Sequence, residues 1–235
     1  MDHKETTTRE VLMETAGRLF AELGVEGTSV RRIAEVAGTN IAAINYHFGT
    51  KENLHREVLM GVLDHEEKCD ARHYAAQEGR FGTPEDITAL IYEMVNARLM
   101  RFFAPDEPEW HAKLVMRALL EPADVLESIV RERFKPDLDA LTEIFRRACP
   151  GLTEEEASLF ADSFLAHLSF YGFAQSAIYI SRGFGGKYPP EFLSNVARHV
   201  ARMLVTCLGL PVPGDEDAVL GFAATARIAE EHPHG

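Results

Sequence analysis

The stretch from residue 28 to residue 51, TSVRRIAEVAGTNIAAINYHFGTK, constrains the fold of this chain more than any other. Its first half places apolar residues at i, i+3, i+4 and i+7, the spacing of one buried helix face. Thr28 or Ser29 can cap the N-terminus of this helix, and Gly38 can end it, because glycine tolerates the left-handed conformation that a helix C-terminus needs. The apolar stripe consists of Val30, Ile33, Ala34 and Ala37.

A second short helix follows after a turn of about three residues, with Thr39 or Asn40 as its cap. Ile41, Ile44 and Phe48 share one face of this helix. The remaining positions carry small or polar side chains, namely Ala42, Ala43, Asn45, Tyr46 and His47. Alanines let a helix backbone approach a groove closely, and the polar side chains can donate to base edges or phosphates. The two helices therefore have the form in which a protein presents a helix to DNA.

This segment resembles the N-terminal DNA-binding domain of the TetR family of transcriptional regulators. The resemblance rests on an Ala-Gly turn, a recognition helix that ends in Tyr-His, and a following Lys-Glu-x-Leu. The matching residues are Ala37, Gly38, Tyr46, His47, Phe48, Lys51, Glu52 and Leu54. The helix from Arg9 to Leu23 corresponds to the preceding support helix. A later phrase, Met116 to Pro136, resembles the C-terminal domain of a subgroup related to regulators of drug sensitivity and efflux.

The resemblance implies two sets of DNA-contacting positions. Those that usually hold phosphates are Thr28, Ser29, Tyr46, His47 and Lys51. Those that reach base edges are Thr39, Asn40, Ala42, Ala43 and Asn45, and Arg31 and Arg32 add positive charge beside them. One short helix reads only a few base pairs, so a palindromic double-stranded operator bound by a homodimer is expected.

The charge distribution fits DNA binding by an acidic chain. The formal net charge is −13, which argues against broad nonspecific binding to a polyanion. Residues 1–60 carry 7 Lys and Arg against 9 Asp and Glu, so nearly all of the excess acid lies later in the chain. Within the motif, Arg31, Arg32 and Lys51 oppose only Glu35, which leaves a small positive surface.

The rest of the chain predicts helices throughout, since no sustained period-2 alternation occurs. The fold class is all-α, with an N-terminal three-helix helix-turn-helix domain and a larger C-terminal helical ligand-binding and dimerisation domain. The predicted domains are 1–52 (motif 29–48), 53–210 and a C-terminal tail, 211–235. Predicted later helices are 50–78, 84–103, 110–120, 123–148 with a kink or interruption at Pro136, 153–182 with a capping box, 190–208, and a weak stretch near 218–231.

The larger domain carries enough aromatic side chains to line an apolar cavity with a few polar anchors, and a small apolar effector is expected there. His167 is the favoured anchor, although a lone histidine on an apolar face is also typical of an ordinary core. The candidate lining residues are Phe102, Phe103, Trp110, Met116, Phe134, Phe145, Phe164, His167, Phe170 and Tyr171. The last two long helices are the predicted dimer interface. Ordinary core packing remains the alternative for each aromatic residue.

Other classes of function find less support. His65, Cys69 and His73 at i, i+4 and i+8 suit a metal or thiol sensor, but incidental histidines are common on a charged helix. Gly183–Lys187, GFGGK, lacks the spacing of a phosphate loop and is predicted to be an ordinary loop, and no GxSxG, HExxH or paired-carboxylate pattern stands out. An enzyme and a bound cofactor are therefore not expected.

The location follows from cysteine usage and hydropathy. Cys69, Cys149 and Cys207 are widely spaced, so neither a disulfide framework nor a zinc ribbon is indicated. No apolar run approaches the roughly 20 residues that span a bilayer. The sequence predicts a cytoplasmic, ligand-responsive repressor that leaves its operator when the effector binds. The alternatives are a constitutive DNA-binding protein without a ligand, a metal- or thiol-responsive regulator, and an activator.

Overall fold

The structure is a computed structural model that describes residues 7–64, 70–103, 107–120 and 123–220. Across these residues every regular element is helical, which confirms the all-α prediction. In chain order the α-helices are α1 (Thr8–Leu23), α2 (Val30–Val36), α3 (Ile41–Phe48), α4 (Lys51–Asp64), α5 (Ala71–Ala75), α6 (Pro84–Phe103), α7 (Glu109–Ala118), α8 (Ala123–Ile129), α9 (Lys135–Ala148), α10 (Glu154–Phe173), α11 (Gln175–Arg182), α12 (Pro190–Cys207) and α13 (Glu216–Leu220). None of the described helices is long and apolar enough to cross a membrane.

The chain divides into two compact units. Unit 1 comprises Met1–His65 and Pro108–Ile129, and unit 2 comprises Glu66–Glu107 and Val130–Gly235. Unit 1 thus contains more of the chain than the predicted domain 1–52, because α4 and α7 both pack against α1. The chain passes between the units three times.

The core of unit 1 is built from the apolar stripes of its helices. A capping box joins Thr7 and Glu10 at the start of α1, and each side chain satisfies a backbone N–H that the first turn leaves without a helical partner. Fully buried residues from α1 to α4 are Leu12, Ala16, Phe20, Ile33, Ile44, Leu54 and Leu59. Burying side chains of this size contributes roughly 1.5–3 kcal/mol each, so the short helices depend on this shared core.

The predicted continuous helix 50–78 is wrong at Asp70. The backbone of Asp70 is extended (φ −81°, ψ 130°), and its carboxylate accepts from the N–H of Arg72 to cap the new helix α5. Arg133 also pairs with this buried carboxylate. Burial alone would raise the pKa of Asp70, but the hydrogen bonds from Arg72 and the charge of Arg133 hold that pKa well below its usual range. An aspartate with these partners favours a helix cap over a helix interior.

The helix interruption predicted near Pro136 is confirmed, and it is a π-helical segment. A π-helical segment, Val130–Phe134, separates α8 from α9, and Pro136 lies in the first turn of α9. Proline has no N–H and its ring crowds the carbonyl of the preceding turn, which favours a local rearrangement there. The predicted helix 153–182 is instead two helices that meet at Ala174.

Unit 2 is built around α6, which runs from Pro84 to Phe103 as predicted. Its buried face packs against α12, and α9 packs against α10. Three polar side chains at four-residue intervals on α6 hold the segment after α12. Thr88 donates to the carbonyl of Pro211 (3.0 Å), Tyr92 to Glu216 (2.8 Å) and Asn96 to the carbonyl of Leu220 (3.0 Å). The described part of the predicted tail is therefore part of unit 2, and most of the stretch 218–231 lies outside the described residues.

Candidate nucleic-acid interface

Two side-chain caps and one glycine position the recognition helix. The Ser29 hydroxyl accepts from the N–H of Arg32 (3.1 Å) at the start of α2, and Asn40 Oδ1 accepts from the N–H of Ala43 (2.9 Å) at the start of α3. Gly38 has a φ of +65°, a conformation that residues with a Cβ seldom adopt. The sequence left Thr28 or Ser29 as the cap of α2 and Thr39 or Asn40 as the cap of α3. In the structure the caps are Ser29 and Asn40.

One face of α3 is buried and the other is open. Ile44 and Phe48 pack into unit 1, while Asn45 and Tyr46 project outward. The Tyr46 side chain is 85% exposed, unusual for so large an aromatic residue. The remaining outward positions of α3 are Ala42, which is exposed, and Ala43 and His47, which are half-buried. We call Ala42, Ala43, Asn45, Tyr46 and His47 the reading face.

Two arginines, Arg31 and Arg32, carry positive charge beside the reading face. Arg31 and Arg32 are exposed on α2, and Arg31 pairs with Glu35 at 3.0 Å one turn along the helix. Exposed pairs of this kind contribute about 0.3–0.5 kcal/mol. A phosphate can therefore replace the glutamate with little loss. Thr39 is half-buried in the turn and Asn40 is exposed, so both lie next to the reading face.

Two residues predicted to contact phosphates, Thr28 and Lys51, form hydrogen bonds within unit 1. Thr28 is 1% exposed, and its hydroxyl donates to the carbonyl of Gly24 (2.7 Å), so its side chain faces the interior of unit 1. Lys51 is half-buried, with its Nζ donating to the carbonyl of Val25 (2.8 Å). Both residues bind carbonyls of the loop between α1 and α2. A single sequence does not distinguish a residue with this structural role from one that contacts a phosphate.

A buried histidine lies beneath this scaffold. His55 is 5% exposed and contacts the Phe20 ring edge-on, with ring centroids 5.1 Å apart. Burial, together with the nearby charge of Lys51, lowers the pKa of His55 to about 4. The native state therefore excludes a proton that the unfolded chain binds at its ordinary pKa of 6.5.

The stability of unit 1 should consequently fall as the pH drops from 6.5 to 4, because the unfolded state binds more protons over that interval. The loss should reach about 3 kcal/mol at pH 4. Trp110 is the only tryptophan of the chain and lies in unit 1, so denaturant unfolding followed by its fluorescence measures this loss. In His55→Leu the unfolding free energy should differ much less between pH 6.5 and pH 4. The same pH dependence in this variant as in the unaltered chain would assign the effect to other groups.

The ten predicted effector residues are divided between the two units and differ in burial. Trp110 and Met116 lie on α7 in unit 1, whereas Phe145 and Phe164 contact each other in the core of unit 2, with centroids 6.3 Å apart. His167, the favoured polar anchor, is exposed, and its Nδ1 lies 2.6 Å from the carbonyl oxygen of Ser163. Of the others, Phe170 is exposed, and Phe102, Phe103, Phe134 and Tyr171 are half-buried. An open cleft of about 570 Å³ in unit 2 is lined by other residues, including Phe81 and Arg147.

Unit 2 contains an aromatic cluster that was not predicted from the sequence. Its centre is Tyr188, which is buried and donates to the carbonyl of Tyr171 (2.6 Å). Burial raises the pKa of Tyr188. The rings around it belong to Phe103, Tyr171, Tyr179, Phe184 and Phe192. The stretch from Gly183 to Lys187 is a loop, as predicted, and the aromatic residues Phe184 and Tyr188 beside its glycines are the signal that marks this cluster.

Of the three proposed metal ligands, only His73 belongs to the described residues. His65 and Cys69 lie outside the described residues. His73 is on α5, and the extended backbone at Asp70 breaks the helical spacing that was to align the three. No group of His, Cys, Asp or Glu able to hold a metal ion occurs among the residues that the structure describes.

Comparisons with known proteins agree with this geometry. Residues 12–58 match the family described as bacterial regulatory proteins, tetR family, and residues 87–208 match the C-terminal domain of the HTH-type transcriptional dual regulator CecR. The HTH-type transcriptional repressor AcnR of Corynebacterium glutamicum is 51% identical over 140 residues, which cover 58% of this chain and 69% of that protein.

Solved structures share the fold. AibR, crystallised with isovaleryl coenzyme A and operator DNA, superposes with a TM-score of 0.63 at 17% identity, covering 85% of this chain and 98% of AibR. AmtR of Mycobacterium smegmatis gives a TM-score of 0.58 at 22% identity, covering 99% of each chain. Identities this low establish the common architecture alone.

Proposed function

The chain belongs to the TetR family of bacterial regulatory proteins, and we propose that it is a cytoplasmic repressor that binds a palindromic operator as a homodimer. The observation that carries the proposal is the reading face, in which Asn45 and Tyr46 project from a short helix whose N-terminus is capped by Asn40. Phosphate contacts set the register of such a helix on DNA and base contacts set the sequence. Repression is supported by AcnR, which is named as a repressor.

The homodimer is supported by an apolar stripe on α10 that is exposed in the part of the chain that the structure describes. Leu159, Phe170 and Phe173 are 58%, 56% and 50% exposed, and Ala166 lies between them on the same helix face. Spacings of three, four and seven residues align these side chains along one edge of the helix. A monomer would leave this stripe in water, whereas a second copy of α10 crossing it would bury it. Two recognition helices held at a fixed separation then read half-sites one DNA turn apart.

Regulation by a small apolar effector in unit 2 completes the proposal. The aromatic cluster around Tyr188 supports an apolar ligand, since aromatic and aliphatic side chains with a few polar groups line most small-molecule sites. The effector releases DNA only if it binds the arrangement that cannot bind DNA more tightly than the one that can. In the alternative, a constitutive DNA-binding protein, no such difference in affinity exists.

Selection of duplexes from a random-sequence library by the full chain tests DNA binding directly. With a selected duplex, Tyr46→Ala should weaken binding to specific and scrambled sequences alike, because we assign this exposed tyrosine to a phosphate contact. Asn45→Ala should lower the affinity for the selected duplex by about 1–3 kcal/mol, chiefly at one base pair.

Ser176→Ala provides the control, because this exposed side chain lies on α11 in unit 2 and should leave both affinities unchanged. Equal losses of affinity for Tyr46→Ala and Asn45→Ala on both kinds of duplex would reject the assignment of Tyr46 to a phosphate and Asn45 to a base. Failure of the unaltered protein to enrich any sequence would reject DNA reading itself. A small apolar compound that displaces the duplex would separate the regulated protein from the constitutive one.

A further inference from the structure

Helix α7 packs along α1, although about ninety residues separate them in the chain, and its tryptophan lies against a glycine of α1. The Trp110 ring lies directly on Gly17 of α1. A Cβ at Gly17 would lie 2.3 Å from the nearest ring atom of Trp110, far inside van der Waals contact. The ring nitrogen Nε1 also donates to Glu14 (3.3 Å), one turn earlier on α1. Gly17 is therefore a notch in α1 that the indole fills.

A second contact fixes the direction and register of α7. Arg117 lies over Gly24 at the end of α1, and a Cβ there would lie 3.0 Å from the Nε of Arg117. The two glycines are seven residues apart on α1, and Trp110 and Arg117 are seven apart on α7. The helices therefore run in the same direction, with matching side chains two turns apart. Because the Arg117 side chain is flexible, the Trp110 contact carries most of the steric selectivity.

Helix α1 is also the element that holds the DNA-reading helices. The Thr28 hydroxyl ties the start of α2 to the carbonyl of Gly24, and Arg9 lies over the Phe48 ring of α3 at 5.4 Å from its centroid. Arg9 also pairs with Glu57 of α4. A displacement of α1 would therefore move α2, α3 and α4 with it, because these contacts and the buried core connect them.

We propose that Trp110 is a positioning residue for DNA reading, whose ring in the Gly17 notch holds α7 in one register along α1. The proposal rests on the proposed DNA-binding function. Both ends of the segment 108–129 continue into unit 2, so a change there reaches α7 through the chain itself. With the indole in place, α7 cannot slide along α1, and its movement is passed to the reading face.

The test is a double-mutant cycle measured with the selected duplex and the full chain. Gly17→Ala should displace the ring, shift the fluorescence of the only tryptophan towards the red, and lower DNA affinity about tenfold. Trp110→Leu should also weaken binding, since α7 loses its register. Adding Gly17→Ala to Trp110→Leu should cost much less than adding it to the unaltered chain, because the shorter side chain leaves room for the methyl group.

Gly61→Ala is a matched control. A Cβ at Gly61 of α4 would meet only the flexible end of Met13 of α1, at an ordinary 3.4 Å. Affinities are compared at a temperature at which every variant is folded. If Gly17→Ala lowers the melting temperature but binds the duplex as tightly as Gly61→Ala, Trp110 has only a structural role and the inference fails. If the unaltered protein selects no duplex, the proposed function fails instead.

Discussion

Replacing both Phe170 and Phe173 with glutamate is expected to convert the protein to a monomer and to lower its affinity for the selected duplex by about a hundredfold or more. Both rings are half or more exposed on α10, so glutamate at these positions disturbs little of the core of unit 2. In a dimer formed through this stripe, four carboxylates would meet at one interface, and their burial and mutual repulsion would oppose association. A monomer loses one half-site, with several base contacts worth about 1–3 kcal/mol each.

Sedimentation equilibrium gives the oligomeric state, and fluorescence anisotropy with labelled duplex gives the affinity. Val212→Glu is the control, because Val212 is 43% exposed in unit 2 but lies outside the α10 stripe. This variant should remain dimeric and bind as the unaltered chain does. A doubly substituted protein that is still a dimer would place the interface elsewhere, and a monomer with full affinity would exclude the paired reading of half-sites.

The helix-turn-helix could be predicted from the sequence because its determinants are local. Ser29 and Asn40 each accept from a backbone N–H three residues away, and Gly38 is needed for its own backbone conformation. The buried positions of α2 and α3 also follow from spacing within each helix. For the same reason the family was recognisable from the segment 28–54, and the two family matches confirm it.

Contacts between distant segments could not be predicted in this way. Trp110 was assigned to an effector cavity on its aromatic character, yet the structure buries it against Gly17 in unit 1. Nothing near either residue in the sequence indicates this pairing. The inward contact of Thr28 was missed for a related reason, since a hydroxyl that can reach a phosphate can equally turn inward to a carbonyl. Composition shows that aromatic side chains are buried, but not which surface buries them.

The break at Asp70 shows how such distant contacts overrule local pattern. Periodicity favoured a helix through this position, but Arg133, sixty-three residues later, pairs with the Asp70 carboxylate. A buried carboxylate is stable only with partners, so the backbone adopts the conformation that provides them. The π-helical segment that carries Arg133 belongs to the same arrangement. Buried charges therefore help to determine where α5 begins.

Asp137→Ala provides the strongest test of that statement, and we expect it to lower the unfolding free energy of unit 2 by about 3–5 kcal/mol. The Asp137 carboxylate is buried and accepts two hydrogen bonds from Arg98, each 2.9 Å, and one from the N–H of Ala71, also 2.9 Å. Alanine would leave the Arg98 guanidinium without this carboxylate in an apolar setting. It would also remove the acceptor for the first N–H of α5.

Urea unfolding followed by circular dichroism measures the loss. Asp139→Ala is the matched control, since Asp139 lies two residues further along α9 and pairs with Lys135 while both are largely exposed. That pair should contribute less than about 1 kcal/mol. Asp137→Asn should fall between the two, because its amide oxygen can still accept from Ala71. Similar losses for Asp137→Ala and Asp139→Ala would mean that burial of the carboxylate does not decide the arrangement of α5, α6 and α9.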